Sequence, residues 1–310
     1  MYHRFDENKY PSTNIKMIDF NEHLKIIKEN NFLYVNPNNF EKLILNEKLK
    51  KKVLITIDDG FLSFYKKAWP VLKKDKIPFI LFVNTKAVGQ SGYMNWRQIK
   101  EIAKEDFAHI GNHSYSHEYL VDRDVKYISE DINRSILDFK NNLGKNSKFF
   151  SYPFGEYSKN FKQIIKDLEF KYAFGQHSGV VDETKDFLEL PRFPINEKYG
   201  QIERFKTILN TLPLKYKFIK PDEKYITSAN NPPQVQIEFY NDIKNIKLLN
   251  CYSNEGGSWK KSEIIFIEDF RIKINLNEKF TSERGRINCS LREKGGYWRW
   301  MGIQFVIAEN

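Results

Sequence analysis

Short apolar runs alternate with helix-like segments through the first two-thirds of this chain, and no other feature constrains its fold as strongly. The runs are Phe32 to Val35, Val53 to Ile57, Phe79 to Val83, Phe107 to Ile110, Phe149 to Tyr152 and Tyr172 to Phe174. Each is short and nearly unbroken in its apolar character, as expected of strands buried on both faces of a parallel sheet. Between them lie helix-like stretches such as Asp124 to Leu143 and Lys159 to Leu168. An earlier one, Asp19 to Asn30, sets Phe20, Leu24 and Ile27 on one helical face, with Asp19 read as its cap and Glu22 three residues on. Strand–helix alternation in this order predicts an α/β fold with a parallel sheet or barrel.

The run Val53 to Ile57 ends in Asp58-Asp59-Gly60. Adjacent carboxylates at the end of a core strand repel and resist desolvation unless positive charge sits beside them. A metal ion would supply that charge, and an ordinary Asp-Asp-Gly turn is the simpler reading. Downstream, His113-Ser-Tyr-Ser-His117 follows the apolar stretch 107–111. On a helix or helical turn that spacing puts both imidazoles on one face, where they can grip a single ion. One carboxylate and two imidazoles leave a position open for water, as a catalytic zinc needs. Surface or core histidines are the alternative. A third stretch, Ser151-Tyr-Pro-Phe-Gly155, is either a loop punctuated by Pro and Gly or a rigid rim that aims a backbone N–H, that of Phe154, at an oxyanion.

Taken in order, Thr56-Ile-Asp-Asp-Gly60, His113-Ser-Tyr-Ser-His117 and Tyr152-Pro-Phe-Gly155 resemble the first three motifs of the polysaccharide deacetylases. That group is also called the NodB-homology group or carbohydrate esterase family 4. The resemblance spans residues 1–215 and implies a distorted, incomplete (β/α) barrel. It makes Asp58 the catalytic base, and Asp59, His113 and His117 the holders of Zn2+ or another divalent transition metal. Tyr152, Pro153 and Phe154 then fall on the substrate and oxyanion side. The implied activity is removal of N-acetyl groups from amino sugars of a cell-envelope or extracellular glycan. A non-catalytic glycan-binding relative, or a deacylase of O-acetyl esters or a lipid-linked sugar, are the alternatives.

The chain also departs from the family pattern. Ser151 stands where many members have an Arg that orients the base, and the late Leu-X-His motif that supplies the acid is not visible. His177, the last histidine, is therefore the candidate acid by elimination, against a plain loop histidine. Arg192 either replaces the missing Arg beside Asp58 or covers apolar surface with its stem. The opening Met1-Tyr-His-Arg-Phe resembles the end of the family's first barrel strand, where a Tyr-His pair points at the site. His3 is then a candidate site residue, against a frayed terminus.

The pattern changes near Pro221. The segment 221–233, rich in Pro, Asn and Ser, reads as a linker between a deacetylase-like domain (1–220) and a β domain (234–310). Alternating runs at Val235 to Phe239, Ile264 to Ile267, Phe270 to Ile274, Arg286 to Cys289 and Trp300 to Ile307 predict a small all-β sandwich-like domain. Trp259, Trp298 and Trp300 suit core or inter-domain packing better than a sugar platform. Cys251 and Cys289 admit a disulfide in an exported protein or two buried thiols, and their apolar surroundings favour thiols. The net charge of +10 is spread along the chain, apart from the short run Lys50–Lys52, and no nucleic-acid-binding motif accompanies it. No transmembrane run and no signal peptide is visible, although the opening is compatible with a lost leader. The resemblance points to the cell envelope or exterior, with the cytoplasm left open.

Overall fold

The computed structural model describes residues 1–46 and 51–308, so the first residue of the Lys50–Lys52 run lies outside the described residues. Five parallel strands pair in chain order: β1 (Ile55–Ile57), β2 (Phe79–Val83), β3 (Ala108–Asn112), β4 (Phe149–Ser151) and β5 (Tyr172–Phe174). Every residue of β2 is buried. Phe79, Leu81 and Val83 pack with Phe20, Leu24 and Ile99, whereas Ile80 and Phe82 pack with Phe149, Phe174 and Leu190 in a separate cluster. Covering both faces is why these strands read as continuous apolar runs. On the outside, Ile128, Ile132 and Ile136 of the helix Val125–Leu143 meet Phe150 and Phe161.

Irregular segments extend both edges of this curled sheet. Tyr2 bridges to Ile57 and Leu190 to Phe174, both in parallel. The two edges then touch: the Ile195 N–H donates to the Met1 carbonyl at 2.9 Å and the Met1 amino group to the Phe193 carbonyl at 3.1 Å. The result is a distorted barrel whose closure depends on loops rather than on ladder strands.

Two local expectations change. Only Leu33–Tyr34 of the run Phe32 to Val35 pairs, and it does so with Lys52–Val53 in a separate two-stranded ladder. The first helix runs Met17–Glu29, so Asp19 lies inside its first turn. The Met17 N–H instead donates to Asp6 Oδ1 at 2.8 Å, a cap supplied from outside the helix that no local pattern announces.

The β region is two facing sheets. One orders Leu212–Pro213, Trp298–Ile307, Arg284–Arg292, Asn250–Ser253 and Lys260–Lys261, with Tyr225–Ile226 also on Trp298–Ile307. The other orders Tyr216–Lys220, Val235–Phe239, Arg271–Asn275 and Glu263–Glu268. Val235, Ile237 and Ile272 from one sheet share a core with Ile287, Leu291 and Phe305 from the other. The sheets recruit strands from before Pro221 and from inside the expected linker 221–233, because those segments satisfy edge hydrogen bonds that would otherwise lie open. Trp300 packs edge-on against Phe193 with ring centres 5.6 Å apart, while Trp259 stays about half exposed.

The cysteines are not thiols. Cys251 and Cys289 are directly paired on neighbouring strands and joined in a disulfide. Their apolar surroundings misled the reading because a cystine is itself apolar. At a sequence separation of 38, the bond should stabilise the fold by about 4 kcal/mol through the restricted unfolded chain. Urea titration of Cys251→Ala/Cys289→Ala should show that loss as a lower midpoint.

Candidate active site

The site lies at the C-terminal ends of the parallel strands, where loops leave the sheet together. Asp58 and Asp59 follow β1, His113 follows β3, the turn 152–155 follows β4, and Gly175 to His177 follow β5. Several of these residues adopt left-handed backbone conformations: Asp59 (φ 74°), Ser114 (67°), His117 (56°) and Phe154 (57°). Such strain in non-glycine residues persists only where the surroundings impose it, and it clusters here.

Asp58 is fully buried and bound bidentately by Arg192, which donates from Nη1 to Oδ1 at 2.7 Å and from Nη2 to Oδ2 at 2.8 Å. The same guanidinium donates to Ser151 Oγ at 2.9 Å and, through Nε, to the Gly175 carbonyl at 2.9 Å. Ser151 thus leaves room for an arginine that arrives from forty residues downstream. Burial alone would raise the Asp58 pKa, but Arg192, then His113 and His3, outweigh it and hold the carboxyl below its ordinary value.

Asp59, His113 and His117 converge beside this pair. Asp59 Oδ1 faces His113 Nε2 at 3.4 Å and His117 Nε2 at 3.2 Å. The His113 Nδ1–H donates to the Ser151 carbonyl at 2.6 Å, which leaves the Nε2 lone pair turned toward Asp59. Asp59 Oδ1 is buried and accepts no hydrogen bond. A carboxylate oxygen without a donor, set beside two imidazole nitrogens within 4.8 Å of one another, is a donor set that fits a divalent cation. Burial works to raise the Asp59 pKa, and the two imidazoles hold it well below the usual range. The histidine pair does not come from a helix, as its spacing suggested. It comes from a loop, which Asp131 of the helix Val125–Leu143 secures by accepting the Tyr115 and Ser116 N–H groups at 2.9 and 3.1 Å.

Asp131 was missed in the sequence, although a signal existed: it lies on the apolar face defined by Ile128, Ile132 and Ile136. Asn84, which donates from Nδ2 to the Asp59 carbonyl at 3.2 Å, and the buried Glu156 were missed as well.

The remaining candidates separate. His3 follows Tyr2, whose N–H and carbonyl pair with Thr56 and Asp58, so His3 is carried to the aspartates. Burial lowers its pKa, against the fields of Asp59 and Asp58. His177 is buried, its carbonyl accepts the Arg192 N–H at 3.0 Å, and burial, then the fields of Lys224, Lys185 and Arg192, lower its pKa to about 3. Tyr152 is held in the fold: its ring is buried, its OH donates to the Leu188 carbonyl at 2.9 Å and its N–H to the Phe174 carbonyl. Pro153 is buried in the turn. Gly155 and Glu156 donate to the Tyr152 and Pro153 carbonyls, bonds that do not use the Phe154 N–H. The Phe154 ring stands edge-on to His117 and stacks on Tyr119 at 4.2 Å. A groove of about 370 Å³ opens from Asp59 and His117 toward Phe61, Lys86, Gln90 and Tyr93.

Among the described residues no helix is long and apolar enough to cross a membrane. Residues 46–173 match the polysaccharide deacetylase family. Over 161 residues the chain is 27% identical to the poly-beta-1,6-N-acetyl-D-glucosamine N-deacetylase of Staphylococcus aureus, covering 48% of this chain and 56% of that protein. The chain therefore spans just over half the length of that relative. The IcaB structure from Ammonifex degensii superposes with a TM-score of 0.61 at 27% identity, over 67% of this chain and 94% of that one. The Streptococcus pyogenes deacetylase PplD shares the fold, with a TM-score of 0.61 at 23% identity over 67% of this chain and 96% of its own. Together the strand-end constellation, the family match and these relatives identify residues 46–173 as a polysaccharide deacetylase domain.

Proposed function

We propose that this protein is a zinc-dependent N-deacetylase of a polymer of N-acetylated amino sugars in the cell envelope or outside the cell. The observation that carries this reading is the Arg192–Asp58 ion pair set directly beside the Asp59–His113–His117 donor set. A glycan-binding relative without catalysis would have no need for a buried, ionised carboxylate next to such a donor set. Asp59, His113 and His117 would hold Zn2+ or another divalent transition metal, which supplies Lewis-acid chemistry by polarising the acetyl carbonyl and acidifying water.

The chain's own residues supply the proton transfers. Asp58, kept ionised and aimed by Arg192, takes the proton of the attacking water as its oxygen adds to the acetyl carbon. The Phe154 N–H is available to donate to the oxyanion that develops. His3, where the fields of Asp59 and Asp58 favour the imidazolium against burial, is the group proposed to give a proton to the sugar nitrogen as the C–N bond breaks, so the products are acetate and a free amino sugar. The named activity of the Staphylococcus aureus relative makes β-1,6-linked poly-N-acetylglucosamine the first substrate to try. The Cys251–Cys289 disulfide supports an oxidising compartment.

The test is acetate release by zinc-loaded protein from that polymer, chitin oligomers, peptidoglycan and an O-acetylated xylan. Release from an amide-linked substrate that stops on chelation and returns with zinc supports the proposal. Release from the xylan alone would reassign the bond to an ester, and silence on every substrate would overturn the reading. His3→Asn should lower kcat about a hundredfold, whereas His177→Asn should leave kcat within about threefold. A large loss in the His177 variant alone would restore His177 as the acid.

A further inference from the structure

The β-sandwich has no evident place in the chemistry, yet it touches two parts of the site. Arg284, on the strand Arg284–Arg292, donates from Nε to Glu156 Oε1 at 2.6 Å, and its guanidinium carbon lies 5.6 Å from the Phe154 ring centre. Glu156 directly follows the Phe154–Gly155 turn, is 2% exposed, and has no partner for its second carboxylate oxygen. From the next strand, Gln304 donates to the Gly155 carbonyl at 3.4 Å and accepts from Arg286 Nε at 3.1 Å. That strand also backs the other side of the site, where Trp300 meets Phe193, the neighbour of Arg192. The polysaccharide deacetylase match ends at residue 173, so none of these β residues belongs to it.

We propose that the β-sandwich is a working wall of the active site, with Arg284 as a positioning residue that holds the Phe154 turn through Glu156. A carboxylate this buried is tolerated because a guanidinium meets it. Burial raises the Glu156 pKa to about 7 even beside Arg284, so without Arg284 this carboxyl, two residues from the Phe154 N–H, would protonate in place or move toward water. Either way the charged bond that ties Glu156 to the strand Arg284–Arg292 is lost, and the turn is released. Gln304 fixes the Gly155 carbonyl at the same time, so both residues that follow Phe154 are held from the β-sandwich. A displacement of this kind, even of about 1 Å, is enough to misalign an oxyanion donor.

The effect on rate rests on the deacetylase reading, but the effect on the turn does not. Hydrogen exchange of a peptide covering residues 152–157 should therefore be measured beside kcat and KM. In Arg284→Ala that exchange should accelerate about tenfold or more, while peptides from the barrel strands stay unchanged. In the same variant kcat should fall about tenfold with KM within about threefold. Adding Glu156→Gln to Arg284→Ala should change neither readout further, because Arg284 acts through Glu156. If Arg284→Ala does not fold, Arg284→Lys decides, because lysine keeps the charge without the planar fork, and its turn should still exchange faster. Wild-type exchange at the turn overturns the proposal, as does a loss of kcat with exchange unchanged, which would make Arg284 a substrate contact. A wild-type protein inactive on every substrate would overturn the function reading, and the exchange experiment would still decide the role of Arg284.

Discussion

Asp58→Asn should lower kcat by two to four orders of magnitude without removing the metal site, which would separate the base from the donors that hold the ion. Asparagine keeps the shape of the side chain but cannot accept a proton near neutral pH. The donor set Asp59, His113 and His117 does not include Asp58, so zinc stoichiometry should stay at the wild-type value. The variant has a second cost, because the Arg192 guanidinium is left buried without its anion. Removing one partner of such a pair destabilises by about 3–5 kcal/mol. Rates should therefore be measured at a temperature where the variant is fully folded, with zinc content measured on the same sample. Turnover within tenfold of wild type would exclude Asp58 as the base.

Arg192→Ala should be damaging in a different way. It leaves Asp58 fully buried without its guanidinium, with Ser151 Oγ at 3.4 Å from Oδ2, so urea unfolding should again show a loss of about 3–5 kcal/mol. The pH dependence distinguishes the two variants. In the wild type the folded-state pKa of Asp58 lies below its unfolded value. Its contribution to stability is therefore fully present above about pH 4 and is lost as the pH falls through the folded value. Without Arg192 burial dominates, the carboxyl protonates at higher pH, and the acidic limb of kcat/KM should move upward. If stability and pH profile both stay as in the wild type, Arg192 does not act on Asp58.

Much of the site was legible because its chemistry is local. A carboxylate pair ending a core strand, two histidines four apart and a Tyr-Pro-Phe-Gly turn each occupy a few consecutive residues, and each follows a strand whose apolar run is visible. The strand order was legible for the same reason, since a sheet buried on both faces imposes continuous apolar runs. The positions that failed depend on distant partners. Asp19 lost the cap to Asp6, and the cysteines were judged by their neighbours in sequence although each faces the other across two strands.

By itself the sequence determined that an aspartate pair, two histidines four apart and a Tyr-Pro-Phe-Gly turn lie at the ends of parallel strands, because those facts follow from short-range pattern and residue type. Only the tertiary structure decided that Arg192 meets Asp58, that Asp131 holds the histidine loop, and that the β-sandwich reaches Glu156. Each of these joins elements far apart in the chain by a buried charge or hydrogen bond, and the partner of a buried polar group is set by three-dimensional packing, which no local stretch of residues encodes.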